Sequence, residues 1–406
     1  MSLITAAKHQ LDSLMPRAAR DEKSFREEAW LRMETMGLPG RRTETWKYSS
    51  LAALDKMDLP LQTGVSTKLP AEWTAWLATV KKDFDTVVVV NGRYQAALSA
   101  PGGEVKIGTP ALKSFTGEDG FSCLSAAVAE LGLRIEAPAG VKVKRPLLIL
   151  KYQDNASGWI STFNEVVVGA DAELRVVEIL AGGKVKYLRT DLNAVRLGEN
   201  ASLQWLRHQR ESQEAYHFSE TQVQMPEASR LHFTQVNRGA RWLRGHLLVE
   251  ITGPGAEANV QGLTFLENDQ HNDQRVVLSH RAGQTSSSQL FKGIFKDRAR
   301  GALNGKIFIA QDAQKVTSRQ YNHNLLLSHG AEADTKPELE IYADDVKANH
   351  GATVGRLDEG KMFYLRSRGL TSAHAEQLLS EAFARDIYMK IPDLLLRKLA
   401  EVDYGP

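Results

Sequence analysis

Several short stretches of the chain carry residue types at spacings that could do chemistry. In Glu267-Asn268-Asp269-Gln270-His271-Asn272-Asp273, the residues Asp269, His271 and Asp273 alternate, and His280 follows. On a strand all three would project from one face, a donor set suited to a hard or borderline cation. A metal also needs a closed or nearly closed shell, which spacing alone does not supply. The competing reading is a polar face whose groups bond one another or water. Asp344 and Asp345 precede His350 in Ile341-Tyr342-Ala343-Asp344-Asp345-Val346-Lys347-Ala348-Asn349-His350-Gly351. Adjacent carboxylates on a strand point to opposite faces, so they make an acid and base pair only if another strand supplies a third carboxylate. The plainer reading puts one Asp in a turn and leaves the other solvated. His350 reads either as a functional imidazole or as a turn histidine before Gly351. Cys123 lies between Phe121-Ser122 and Leu124, among small and apolar residues, and reads as a buried hydrophobe sooner than as a reactive thiol.

Gly253-Pro254-Gly255-Ala256-Glu257-Ala258 matches a dinucleotide-binding GxGxxG/A pattern after the strand-like Leu247 to Ile251. The following Asn259 to Phe265 alternates like a strand, whereas a pyrophosphate needs a helix N-terminus there, so the segment is expected to be a turn. The chain holds no GxxxxGK[ST] string, which argues against nucleotide hydrolysis by this chain.

The elements that would position these residues change character along the 406-residue chain, a length that favours more than one domain. Fifty-one Lys and Arg against 49 Asp and Glu leave a formal charge of +2, a poor balance for coating a polyanion, so no nucleic-acid partner is expected. No apolar run is long enough to span a membrane, and the N-terminus lacks the apolar stretch of a secretion signal, so a cytoplasmic location is expected. A single cysteine excludes an internal disulfide, a zinc finger and a cluster held by this chain's own thiolates.

Phe25, Ala29, Met33 and Met36 recur at three- and four-residue steps, predicting an amphipathic helix that ends at Gly37-Leu38-Pro39-Gly40. Val87 to Val90, then Asn91-Gly92, then Arg93-Tyr94 predict a hairpin. From about Val141 to Leu357 short apolar runs alternate with polar residues, an all-β texture. Ala172, Ala201, Ala228 and Ala256 mark look-alike turns, and the clusters ending in Ala313, Ala331 and Ala352 continue them at closer spacing. A degenerate repeat of strands and small-residue turns predicts a solenoid, with a sandwich as the alternative. After Gly369, a cap at Thr371 or Ser372 opens a helix whose apolar face is Ala375, Leu378, Leu379, Ala382 and Phe383. Ile391-Pro392 breaks it, and Leu394-Leu395-Leu396 opens another.

Three strings closely resemble the SufB/SufD family, scaffold subunits of the SUF iron-sulfur cluster assembly system. They are Asp334-Thr335-Lys336-Pro337-Glu338-Leu339-Glu340-Ile341-Tyr342-Ala343-Asp344-Asp345-Val346-Lys347, then His350-Gly351-Ala352-Thr353-Val354-Gly355, then Phe363-Tyr364-Leu365-Arg366-Ser367-Arg368-Gly369. Gly37-Leu38-Pro39 with Arg42, Glu44, Trp46-Lys47-Tyr48 and Leu51 is similar to the opening motif of the family's SufD branch.

The resemblance implies a mainly β chain: a right-handed parallel β-helix over 138–357, a helix-rich α/β region over 1–137 and a C-terminal helical segment over 358–406. It implies a non-catalytic subunit that pairs with a SufB homologue through the β-helix and docks a SufC-type ATPase through its C-terminal helices; a homodimer in isolation is also possible. The partner-binding residues would be Phe363, Tyr364, Leu365, Arg366, Arg368, Leu378, Leu379 and Phe383. Where the family's SufD pattern reads Lys-Cys-Ser-His-Gly, this chain has Lys347-Ala348-Asn349-His350-Gly351. His350 would remain as an imidazole ligand for an iron ion or nascent cluster held transiently at the interface, the thiolates coming from the partner, and the isolated chain would hold no stable cofactor. Two other classes compete: a polysaccharide lyase or hydrolase using Asp344 and Asp345, and a metal-storage protein using Asp269, His271 and Asp273.

Overall fold

The computed structural model describes residues 2–40, 42–54, 57, 68–112, 115–154 and 158–401. Four α-helices lie in the N-terminal third: α1 (Leu3–Leu14), α2 (Arg20–Met36), α3 (Ala71–Val80) and α4 (Gly120–Val128). Four strands accompany them: β1 (Asp85–Val90), β2 (Arg93–Tyr94), β3 (Lys106–Gly108) and β4 (Glu130–Ala137). A continuous run of strands follows. It comprises β5 (Leu147–Gln153), β6 (Gly158–Val168), β7 (Glu173–Gly182), β8 (Tyr187–Leu197), β9 (Ser202–Gln209), β10 (Tyr216–Met225), β11 (Arg230–Asn237) and β12 (Trp242–Ile251). It continues through β13 (Glu257–Leu266), β14 (His271–His280), β15 (Ser286–Phe295), β16 (Arg300–Ile309), β17 (Val316–Leu326), β18 (Glu332–Ile341) and β19 (Val346–Arg356). Three helices close the chain: α5 (Glu359–Ser367), α6 (Ser372–Met389) and α7 (Leu394–Glu401).

Odd-numbered strands from β5 onward form one parallel sheet and even-numbered strands from β4 onward another, so the chain alternates between two sheets and climbs one rung per pair. This is a parallel β-solenoid of about eight turns, and the sandwich alternative is excluded. Tyr216 of β10 faces Trp242 of β12, which faces His271 of β14, which faces Arg300 of β16. The sheets begin before Val141: β1 pairs in parallel with β5, and β4 with β6. The predicted hairpin is present, with β1 antiparallel to β2 and positive φ at Asn91 (51°) and Gly92 (77°).

The turns repeat, with a corrected register. At one edge of the solenoid a left-handed residue precedes a buried small one: Asp171 before Ala172, Asn200 before Ala201, Ala228 before Ser229 and Gly255 before Ala256. Ser229, not Ala228, is therefore the equivalent of the buried alanines, and Ala228 takes the strained position at φ 53°. The closer spacing of the later clusters arises because Ala313 lies at this edge and Ala331 at the opposite one. The His350-Gly351-Ala352 cluster is not a turn at all; it lies within β19. Gly253 to Ala256 is the turn between β12 and β13, as its strand-like sequel required.

The three largest cores among the described residues hold the molecule together. Between the sheets lies a cluster that includes Val176, Val195, Trp205, Phe233 and Val249. Only part of each inner face is apolar: along β5, Leu147 and Ile149 give way to Lys151 and Gln153. The buried charges there are mutually paired, Lys151 with Glu178 at 2.8 Å, Arg207 with Glu178 at 2.7 Å and Arg189 with Glu211 at 3.3 Å. Burial alone would raise the Glu178 carboxyl, but the Arg207 and Lys151 charges outweigh it and hold it down at about 2. The second core joins α1, α2 and α4 to the outer face of the even-numbered sheet through Phe121, Phe163, Leu192 and Phe218. α2 ends at Gly37 (φ 69°), as expected, but Met36 is exposed, and the buried face carries Arg26, which donates to the Ala127 carbonyl at 3.0 Å. Cys123 is buried in this core, and burial pushes its thiol up to about 11.

The third core lies on the outer face of the odd-numbered sheet, where α3, α6 and α7 pack through Trp73, Leu77, Ala384, Ile387, Tyr388 and Leu399. The C-terminal helices thus run back along the solenoid, with α6 on β13 and β15 and α7 on β9, and do not cap its last rung. Thr371 caps α6 by accepting from the His374 N–H. The buried stripe of α6 is Ala375, Ser380, Ala384, Ile387 and Tyr388, shifted from the one expected, and Leu378 and Ala382 face solvent. No described helix is long and apolar enough to cross a membrane.

Candidate functional site

The chemistry-bearing residues of the sequence separate into those the fold consumes and those it leaves open. Asp269 precedes β14 in a turn and accepts two bonds from Arg298, at 2.8 and 3.1 Å. His271 and Asp273 share a strand, but Asp273 is bound by Arg244 and by the Ser49 hydroxyl, the latter at 2.6 Å. His271 lies 3.4 Å from the same hydroxyl, and burial lowers its pKa. His280 is enclosed by Thr285 at 2.7 Å and Ser287 at 2.8 Å, and burial brings it down to about 4. These groups satisfy one another, and among the described residues no cluster of three His, Cys, Asp or Glu side chains could hold a metal ion. Asp344 and Asp345 are both exposed in the turn between β18 and β19, so the premise that they share a strand does not hold.

The open residues gather at the last rung. β18 and β19 are the terminal strands of the two sheets, and among the described residues no further strand pairs with their outer edges. Every residue of β18 and β19 is at least partly exposed, unlike the strands of the middle rungs. Ten- and eleven-residue edges of this kind present an unpaired row of backbone N–H and C=O groups, which isolated proteins normally cover. His350 sits in the middle of β19, opposite Gln320 of β17, and is exposed. Strand alternation puts it on the same side as Val346 and Ala348, which pack on the small core of Ile307, Ile309 and Val316, so its imidazole lies on the lumen side of the open rung. A strand position replaces the turn-histidine reading, because the register with β17 runs unbroken from Val346 to Arg356.

Beyond β19 the chain enters α5, which has no buried residue. Phe363 is 74% exposed and Tyr364 56%, and Arg368 stacks over the Tyr364 ring at 5.3 Å. Leu378, on α6, is 46% exposed; Arg366 is also exposed and Leu365 is half-buried. Leu379 is half-buried, and Phe383 packs on the odd-numbered sheet beneath Lys292, whose Nζ lies 4.5 Å from its ring. Phe363, Tyr364 and Leu378 are therefore large apolar side chains left in water, a feature of contact surfaces. Sequence reasoning missed two neighbours at the end rung, the exposed Tyr321 and the half-buried His323, which stack with ring centroids 6.2 Å apart on β17. Their i, i+2 spacing was the available signal.

Comparisons with known proteins agree with this geometry. The SufBD core domain of SUF-system iron-sulfur cluster assembly matches residues 152–383, from the end of β5 to α6. The iron-sulfur cluster assembly protein SufD of Escherichia coli is 31% identical over 368 residues, covering 88% of this chain and 86% of its own. A SufBD-family iron-sulfur cluster assembly protein of Synechocystis is 29% identical over 388 residues, covering 88% and 85%. A Mycobacterium leprae protein of the same description is 25% identical over 397 residues, covering 92% and 91%. With the solenoid, its open rung and these matches running nearly end to end, the chain belongs to the SufBD family of iron-sulfur cluster assembly proteins and is SufD-like within it.

Proposed function

We propose that this chain is a non-catalytic scaffold subunit that pairs with a SufB homologue through the open rung of its solenoid and docks a SufC-type ATPase on α5 and α6. The observation that carries the reading is the pairing of an uncovered last rung with an adjacent helix that has no fully buried residue: both surfaces want a partner, and they are contiguous in the chain. The iron ion or nascent cluster is cargo held at the subunit interface. His350 supplies one imidazole from the lumen side of β19, and the partner supplies the thiolates, since Ala348 carries none and Cys123 is buried far along the chain in α4. ATP hydrolysis belongs to the docked subunit, in keeping with the absence of a phosphate-binding loop here.

Co-expression with candidate SufB and SufC partners tests this in one step. A stoichiometric three-component complex on size-exclusion chromatography is expected; elution of this chain free of both partners would overturn it.

A further inference from the structure

The Trp46-Lys47-Tyr48 string lies away from His350 and α5, on the outer face of the even-numbered sheet. Residues 44–53 cross the outer face of the even-numbered sheet as two short 3-10 turns, Glu44–Trp46 and Leu51–Ala53. Trp46 nails the strap down, fully buried, with its Nε1 donating to Asp119 at 2.5 Å and the Arg244 guanidinium 4.0 Å above its ring. Ser49 adds the bond to Asp273. The next residue after Trp46, Lys47, is exposed and has no carboxylate at ion-pair distance among the described residues.

Between this strap and the starts of β12, β14 and β16 lies a cleft of about 630 Å³. Its charged lining is Lys47, Arg241, Arg298 and Arg300 against Asp269 and Asp334. Arg298 is engaged through Nε and Nη2 by Asp269, leaving its Nη1 donors, and Arg300 is held through Nη2 by Glu332. Arg241 is exposed and makes no ion pair among the described residues, like Lys47. Four cations against two carboxylates, grouped in a concave site beside half-occupied guanidinium forks, leave an excess of positive charge that can recognise an oxyanion. The spread of the cations sets its size. Trp242, His271 and Arg300 are laddered on three neighbouring strands, so the arginines beside the first and last are separated by two strand spacings, roughly 10 Å. One phosphate would reach only one end of such a site; two linked phosphates would reach across it.

We propose that this cleft is a binding site for the diphosphate group of a small molecule, with Lys47 and Arg241 as its main charge contacts and Arg298 and Arg300 as additional donors. The strap then has a role apart from packing: Trp46 and Ser49 anchor it so that Lys47 faces the arginines of the sheet. The cleft reaches the start of β18, where Asp334 lines it and Glu332 holds Arg300, so it is tested on the isolated chain, where failure to bind pyrophosphate is distinguishable from failure of the subunit pairing.

The test is calorimetric titration of the full-length chain with inorganic pyrophosphate at low ionic strength. The comparison is between wild type, the double variant Lys47→Gln with Arg241→Gln, and Arg281→Gln. Arg281 lines a separate groove on the same sheet with Arg275, Lys306, Glu118 and Glu250, and its variant is the control for removing a cation elsewhere on that sheet. Both residues of the double variant are exposed, so its urea midpoint should stay at the wild-type value. Saturable binding is expected in wild type and in Arg281→Gln, with affinity lowered at least about tenfold in the double variant. Lack of saturable binding by wild type, equal binding by the double variant, or an equal loss in Arg281→Gln would each overturn the proposal.

Discussion

Gln320 and His350 face each other across the last parallel pair of the solenoid, yet Gln320 is 2% exposed and His350 is open to solvent. The difference is one strand. Gln320 is covered by β19 and donates to the Gly305 carbonyl at 2.8 Å, whereas among the described residues no strand pairs with the outer edge of β19. A residue in that position costs the isolated subunit little and is available to whatever completes the rung.

Replacing His350 by Ala should therefore leave the fold unchanged within about 0.5 kcal/mol by urea denaturation, as for other exposed substitutions. On the co-purified complex the same change should lower iron and sulfide several-fold and weaken the visible absorption. Wild-type iron and sulfide content in the variant complex would remove His350 from the ligand set.

Charging the apolar side chains left in water separates docking from packing. Phe363→Asp with Leu378→Asp should lose ATPase binding by at least about a hundredfold, the effect of removing central contact residues. The melting temperature should barely move, because Phe363 and Leu378 are both exposed. Phe383→Asp is the contrast: that ring lies against the sheet, so its loss should destabilise the chain itself. Retention of the ATPase by the Phe363 and Leu378 variant on size-exclusion chromatography would contradict the docking assignment.

Glu220 makes stability pH-dependent. Burial, only partly offset by the bond from Ser122, pushes its carboxyl up to about 8 from an ordinary 4.5. The folded protein holds that proton more tightly than the unfolded chain, so the contribution is fully present below pH 4.5 and is lost as pH rises toward and through 8. Its slope is about 1.4 kcal/mol per pH unit within that window. Glu220→Gln should match wild type in acid and become progressively more stable than wild type from about pH 5 to 8, measured as urea midpoints. A constant gap between the two curves would show that Glu220 does not titrate in the folded state.

Trp46 tests the strap. Its ring is sealed among Phe121, Phe218 and Trp242, with centroids 5.7, 6.3 and 6.4 Å away. Trp46→Ala should cost about 3–5 kcal/mol of folding stability by loss of buried area and the cavity left behind. A loss below about 1 kcal/mol would mean that the strap is not anchored through this ring.

Much of this architecture is local in origin and could be read from order alone. The Asn91-Gly92 hairpin, the Gly37 helix stop, the Thr371 cap and the β-texture from Val141 onward depend on a few adjacent residues, whose backbone preferences act over short range. The family strings around His350 and Phe363 were equally legible, because motif identity needs no coordinates. What the order of residues left open depended on contacts between distant parts of the chain. Ala228 and Ser229 are both small, and only the stacking of rungs decides which is buried and which takes positive φ. His350 followed by glycine suits a turn as well as a strand, and the ladder with β17 settles it. The apolar stripe of α6 fits several rotations, and packing on β13 and β15 turned Ile387 and Tyr388 inward while leaving Leu378 in water. The paired charges of Lys151, Glu178 and Arg207 lie on three strands whose rungs are separated by 27 to 29 residues, so no short window could show that they meet inside the solenoid. Periodicity reports which face of an element is apolar; only tertiary packing determines what that face meets, and hence which residues remain free to bind.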